Sequence, residues 1–198
     1  MTGTLHRRTV GPAPNASGLH EAALDYLARY PATEAGLRQV LERRIERWAQ
    51  RATLARDEPE TITAQVAAAR GTACEVIARL VAAGALDDAI YAENRARSLV
   101  RAGHSYRATA ARLAAKGVNP ATARAALPKD DESELAAALV LARKRRIGPF
   151  RPGVVPDEAG RRRELRVLAQ AGFPPSVACQ ALAMTLDQAE TMVNRLRR

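Results

Sequence analysis

The chain has 198 residues and a formal net charge of +10, and 47% of it is hydrophobic although only 4% is aromatic. Alanine supplies much of that apolar content; it favours helix strongly and buries little area, so thin cores between closely packed helices are expected. No run of about 18 apolar residues occurs and Met1–Arg8 has no apolar stretch, so neither a membrane-spanning helix nor a secretory leader is expected.

Residues 1–17 contain Gly11-Pro12 and Pro14-Asn15 without periodicity and read as a disordered tail. A helix is predicted from about Leu19 to Tyr30, with Ala23, Leu24, Leu27 and Ala28 on one face and Pro31 ending it. Thr33 is placed to cap the next, which carries Leu37, Val40, Leu41, Ile45 and Trp48 at 3-to-4 spacing. Its other face interleaves Arg43, Arg44, Arg47 and Arg51 with Glu42 and Glu46. Arg56 to Glu60 reads as a break. Helix resumes near Thr61 or Thr63 and runs to Ala83, with Gly71 a weak point and Gly84 the stop. Asp87 is placed to cap a helix from Asp88 to about Ala102, and Gly103 ends it. Ser105 caps a helix to Lys116, which Gly117 stops. Asn119 caps a third, with Pro120 in its first turn, ending near Leu127. Lys129 to Ser133 is a polar link, and Glu134 to Arg146 the following helix. A Gly/Pro-rich loop spans 147–156. Asp157 caps a helix to Ala171, Phe173-Pro-Pro175 leads into one to about Ala183, and Thr185 with Gln188 forms a capping box for the last, Leu186 to Arg197.

A spacing recurs along this succession. Leu80 and Gly84, Leu113 and Gly117, and Leu168 and Gly172 all read Leu-x-x-x-Gly. Glycine closes a helix in the left-handed conformation, and Pro120 and Pro175 preset the helix that follows. A repeated helix–turn–helix unit implies a modular, all-α protein of tandem three-helix repeats. The expected organisation is a tail over 1–17, a first module over 18–86 with an irregular insert in 42–72, a second over 87–130 and a third over 131–198. Such proteins bind more often than they catalyse.

No catalytic constellation is apparent. His6, His20 and His104 lie far apart in sequence, without companions at metal-ligand spacing, and there is no Gly-rich phosphate loop, so no cofactor is expected. Asp87-Asp88 suits a helix start better than metal or acid–base chemistry. Cys74 and Cys179 fall in helical patterns and read as buried thiols rather than a disulfide, which fits a reducing cytoplasm. The charge is uneven: residues 133–198 hold 12 basic and 6 acidic groups, net +6, against +2 for 1–72 and +2 for 73–132. That balance favours a polyanionic partner. The candidate contacts are Arg97, Arg101, Arg107, Arg112 and Lys116 in the middle module. A second set is Arg143, Lys144, Arg145, Arg146, Arg161, Arg162 and Arg166 in the last. Arginine suits bidentate contacts to phosphate or carboxylate. Ser105–Leu127 also looks like a helix-turn-helix, so a stand-alone DNA-binding regulator is an alternative.

Four stretches together resemble the RecX family of regulators of the RecA recombinase. Ala23-Leu-Asp-Tyr-Leu27-Ala-Arg29 is similar to the family's opening helix. Gly84-Ala-Leu-Asp-Asp88-Ala-Ile-Tyr91-Ala92 resembles its Gly-hydrophobic-hydrophobic-Asp-Asp signature. Gly103-His-Ser-Tyr-Arg107 through Lys116-Gly-Val118 resembles its Gly-x-x-x-Arg and Lys-Gly stretch. Arg143-Lys-Arg-Arg-Ile-Gly-Pro-Phe150-Arg resembles a loop of an alphaproteobacterial subgroup. The likeness spans about residues 19–183. It implies an elongated, curved array of three-helix modules, monomeric and cytoplasmic, without catalysis of its own. It further implies binding to the RecA–DNA filament and mostly inhibition of recombinase, ATPase and co-protease activity, with single-stranded or duplex DNA met through the basic surface.

Overall fold

The computed structural model describes residues 11–55, 57–128, 130–154 and 156–197. Ten α-helices and one 3-10 turn account for the regular structure among them. By packing, the chain divides into two compact units, Met1–Asp88 and Ala89–Arg198.

The first unit holds α1 (Ala16–Leu27), α2 (Glu34–Leu54) and α3 (Pro59–Ala82). Helix α1 begins three residues before the predicted start, because the Asn15 side chain caps it and accepts the Gly18 amide at 2.9 Å. Thr33 caps α2 as expected, accepting from Gly36 at 2.9 Å. The Asp88 carboxylate accepts the Glu34 amide at 2.8 Å, so one of the paired carboxylates serves the start of α2. Residues 42–72, read as irregular, are the facing parts of two long helices, and α3 passes through Gly71 without a break. Leu19, Leu37, Leu41, Ile45, Val76, Ile77 and Leu80 form the core. Each such side chain contributes about 1.5–3 kcal/mol on full burial. Of the expected tail, residues 1–10 lie outside the described residues. Gly11 is held to α2, its carbonyl accepting from Trp48 Nε1 at 2.9 Å. The cysteine expectation needs correction: Cys74 on α3 and Cys179 are both free and exposed. Alanine-rich helices carry apolar residues on more than one face, so periodicity alone misplaces a small side chain.

The second unit contains α4 (Asp88–Arg101), α5 (Tyr106–Ala114), α6 (Pro120–Ala125), α7 (Asp131–Arg145), α8 (Glu158–Gln170), α9 (Pro175–Ala183) and α10 (Leu186–Arg197). Ala92, Ala96, Leu113, Val118 and Ala123 make a small core among α4 to α6. Helix α7 is the centre of the unit. It is buried without interruption from Glu134 to Val140, the signature of a helix covered on all sides. It begins three residues earlier than predicted because Asp130, assigned to a polar link, caps it through Ser133 N at 2.6 Å. Leu135 and Leu139 pack with Leu168, Phe173, Ala178, Ala181 and Val193, and Val100 of α4 joins the same core. The two expected modules of this half are therefore packed as one body.

Four turns share one hydrogen-bond pattern. The carbonyls of Leu80, Leu99, Leu113 and Leu168 accept from the amides of Ala85, His104, Val118 and Phe173, the long bond of a Schellman motif. Glycine stands at the left-handed position in each. At Gly172 (φ +89°) there is a second constraint, since a Cβ there would lie 2.8 Å from Ser105 Oγ. That hydroxyl donates to Ala171 O at 2.7 Å and accepts from Ala108 N at 3.2 Å, so one serine caps α5 and fastens it to the turn after α8.

Candidate binding surface

The cations singled out in the second unit are separated onto distinct surfaces. Arg97, Arg101, Arg107, Arg112, Lys116, Lys144, Arg145, Arg146, Arg161, Arg162 and Arg166 are exposed, and Arg143 is half-buried. Arg97 and Arg101 line a groove of about 310 Å³ with Arg195, Met192 and Glu132. Arg195 faces Glu132 at 3.7 Å there, and Arg97 donates to Asn94 Oδ1 at 2.7 Å. Arg162 pairs with Glu158 one turn away at 3.2 Å. Exposed pairs of this kind contribute about 0–1 kcal/mol and are readily exchanged for a partner's anion.

A cationic cluster forms where α4, α5 and α7 meet. Lys144 extends from α7 and donates from Nζ to Ala102 O at 2.7 Å, satisfying an orphan carbonyl at the end of α4. His104, in the turn between α4 and α5, has its pKa lowered first by burial and then by the charges of Arg112, Lys144 and Arg95. These four groups therefore share one neighbourhood, drawn from three helices and a turn. Sequence spacing links Arg112 to Lys116 and Lys144 to Arg143; the fold instead brings both Arg112 and Lys144 near His104. Arg95 and His104 were not singled out as contacts, and nothing in the linear sequence distinguishes Arg95 from its exposed neighbours. A high local density of positive charge around His104 is suited to receive an anion.

The second cluster lies past the end of α7. Arg143, Arg146 and Arg151 surround a cleft of about 370 Å³ with Phe150, Pro149 and Leu186. The loop that forms it is firmly held: Arg151 meets Glu164 through Nε–Oε1 at 2.8 Å and Nη2–Oε2 at 2.5 Å. Glu164 also accepts the Gly148 amide at 3.3 Å. Both side chains are largely buried, which makes this bidentate pair a structural clamp. Gly148–Phe150 forms a 3-10 turn inside the segment predicted to be loop. Arg146 sits at φ 54°, ψ 47°, the left-handed conformation. It occupies the position held by glycine in the four Schellman turns, with Ile147 N bonded to Ala142 O at 3.0 Å. A non-glycine residue there is strained by about 1–2 kcal/mol.

Tyr106 and Glu134 set the orientation of α5 against α7. The Tyr106 hydroxyl donates to Asp130 O at 2.7 Å, and the Glu134 carboxylate accepts the Tyr106 amide at 3.2 Å. Burial, with the charge of Asp130, pushes the Tyr106 phenol up to about 12, so it remains a donor throughout the neutral range. Burial likewise raises Glu134. Among the described residues there is no group of three or more potential metal ligands, and no helix is long and apolar enough to cross a membrane.

Helices joined through glycine-stopped turns define an all-α helical-repeat protein. A family model described as RecX, second three-helix domain, matches residues 87–127. A regulatory protein RecX from Myxococcus xanthus (strain DK1622) is 40% identical over 163 residues, covering 81% of each chain. One from Agrobacterium fabrum (strain C58 / ATCC 33970) is 42% identical over 110 residues, covering 56% of this chain and 58% of that one. The crystal structure of RecX from Lactobacillus salivarius superposes with a TM-score of 0.61 at 17% identity, covering 89% of this chain and 97% of that one, a likeness of fold. The chain belongs to the RecX family of regulatory proteins.

Proposed function

We propose that this protein binds the RecA–DNA filament and lowers RecA's strand exchange, ATP hydrolysis and co-protease activity in DNA repair and the SOS response. The observation that carries this reading is the cluster of Arg95, Arg112 and Lys144, cations from three helices that all act on His104. Arg143 and Arg146 supply a second cationic surface beside an aromatic ring, Phe150, on which a base can stack. Arg97, Arg101, Arg107, Lys116, Arg145, Arg161, Arg162 and Arg166 widen the field that draws in a polyanion. The alternative, a stand-alone helix-turn-helix regulator, is disfavoured by α6. Its six residues span only about 9 Å, too short a recognition helix to read several base pairs in a major groove.

The test is RecA ATP hydrolysis on single-stranded DNA with this protein titrated in below one copy per RecA. Substoichiometric inhibition is expected, and Arg95→Glu with Arg112→Glu should weaken it at least tenfold while helicity and melting are retained. No inhibition at equimolar protein would overturn the proposal. Sequence-specific duplex binding without RecA would favour the alternative.

A further inference from the structure

A concavity in the first unit is lined by none of the residues of the surfaces described above. Residues Pro12 to Pro14 cross the second half of α2 and leave beside it a groove of about 650 Å³. Arg44, Arg47 and Arg51 line it, and no carboxylate does among the described residues. Leu54 stands at its end with 83% of its surface exposed, an unusual state for a leucine on an otherwise well-packed helix. Beneath the groove lies Trp48, only 5% exposed and tied through Nε1 to Gly11 O.

We propose that this groove is a docking site for an extended acidic peptide segment of a partner protein, with an apolar residue seated against Leu54 and the prolines. The charge pattern sets the first requirement. Arg44, Arg47 and Arg51 follow one another at about 4.5 and 6 Å of rise along the helix. Alternate side chains of an extended peptide are spaced about 7 Å apart and point the same way, so acidic residues at every second position meet successive arginines. The apolar walls set the second: Pro12, Ala13, Pro14 and Leu54 offer contact to a hydrocarbon side chain and nothing to a phosphate. A single strand of nucleic acid fits less well, because it draws much of its affinity from stacking on exposed rings. The one aromatic residue lining the groove, Trp48, is buried beneath it. The chain's own first ten residues carry Arg7 and Arg8 and no acidic side chain, so their charge does not match the groove either.

Trp48 is the sole tryptophan of the chain, so its emission reports on this site alone. The full-length protein is titrated with acetyl-(Asp-Leu)4 amide, with acetyl-(Asp-Ser)4 amide and with a twenty-nucleotide oligothymidylate, following Trp48 fluorescence at low salt. A saturable change is expected with the Asp-Leu peptide, weakened at least tenfold by Arg47→Glu with Arg51→Glu and about threefold by Leu54→Ser. The Asp-Ser peptide should bind several-fold more weakly. All three substituted side chains are exposed, and circular dichroism is used to check that the variants fold. No change with the Asp-Leu peptide at millimolar concentration overturns the proposal. So does an equal or stronger response to oligothymidylate, or a peptide response that survives charge reversal. None of these outcomes bears on RecA inhibition, which is read in the separate ATPase assay.

Discussion

Replacing Arg146 by glycine separates what this residue does to the fold from what it does in binding. Arg146 ends α7 in the left-handed conformation at φ 54°, where an L side chain crowds the following carbonyl at a cost of about 1–2 kcal/mol. Glycine removes that strain but leaves a more flexible unfolded chain, returning about 0.4–1 kcal/mol. The net expectation for Arg146→Gly is a gain of about 1 kcal/mol, or a melting temperature about 2–4 °C higher for a protein of this size. The opposite sign is expected for function. Arg146 lines the cleft with Arg143, Arg151 and Phe150; if one phosphate docks on it, log Kd for oligothymidylate should depend less steeply on log salt, by about 0.7. Differential scanning calorimetry and fluorescence anisotropy from 50 to 200 mM salt read the two effects on one sample. A variant no more stable than the parent would show that the turn does not strain Arg146. An unchanged salt slope would remove it from the binding surface.

Other consequences are equally concrete. Gly172→Ala should destabilise by about 2–3 kcal/mol in urea unfolding, combining left-handed strain with loss of the Ser105–Ala171 hydrogen bond. Gly84→Ala, at φ +68° with open space around its Cα, should lose only about 1 kcal/mol; equal losses would mean that Ser105 yields to the added methyl. Glu164→Gln removes the charge that clamps Arg151 and should accelerate hydrogen–deuterium exchange of the Gly148 amide at least fivefold; an unaltered rate would mean the loop is held by other contacts. His104 has a folded-state pKa below its ordinary value, so between those two values the unfolded chain binds more protons and stability falls as pH drops from 7 through that window. His104→Gln should flatten that part of the stability–pH profile, and an identical slope in the variant would assign it to another group.

Much of the fold is legible in linear order because each helix end carries its own instructions. Thr33, Ser105, Asn119 and Asp157 each accept an amide in the first turn of the helix they were expected to cap. Thr185 and Gln188 exchange both bonds of the capping box. The glycine stops at 84, 103, 117 and 172 fall where the helices end. These are contacts within a few residues, so their grammar is local. Asp130 escaped notice because it sits in an acidic run where any of three residues could cap. The left-handed turn at Arg146 was hidden by a residue that ordinarily avoids it. The binding surface was legible only as a list. Arg112 and Lys144 were both singled out, but that both act on His104 depends on how α5 is packed against α7, which Tyr106 and Glu134 hold. Arg95 and His104 join them for the same reason. Likewise Glu164, on a helix read mainly for its arginines, turns out to organise the loop before it.

The hydroxyl of Ser105 reaches across 66 positions of sequence to the carbonyl of Ala171. Anyone grafting a segment from a relative would cut near residue 129, where the repeat pattern changes over. Such a hybrid would inherit a serine from one parent and the turn that receives it from the other, together with foreign partners for Tyr106 and Lys144. The stretch that can be exchanged intact is thus the whole of 89–198, so that both partners of each of these three contacts come from one parent.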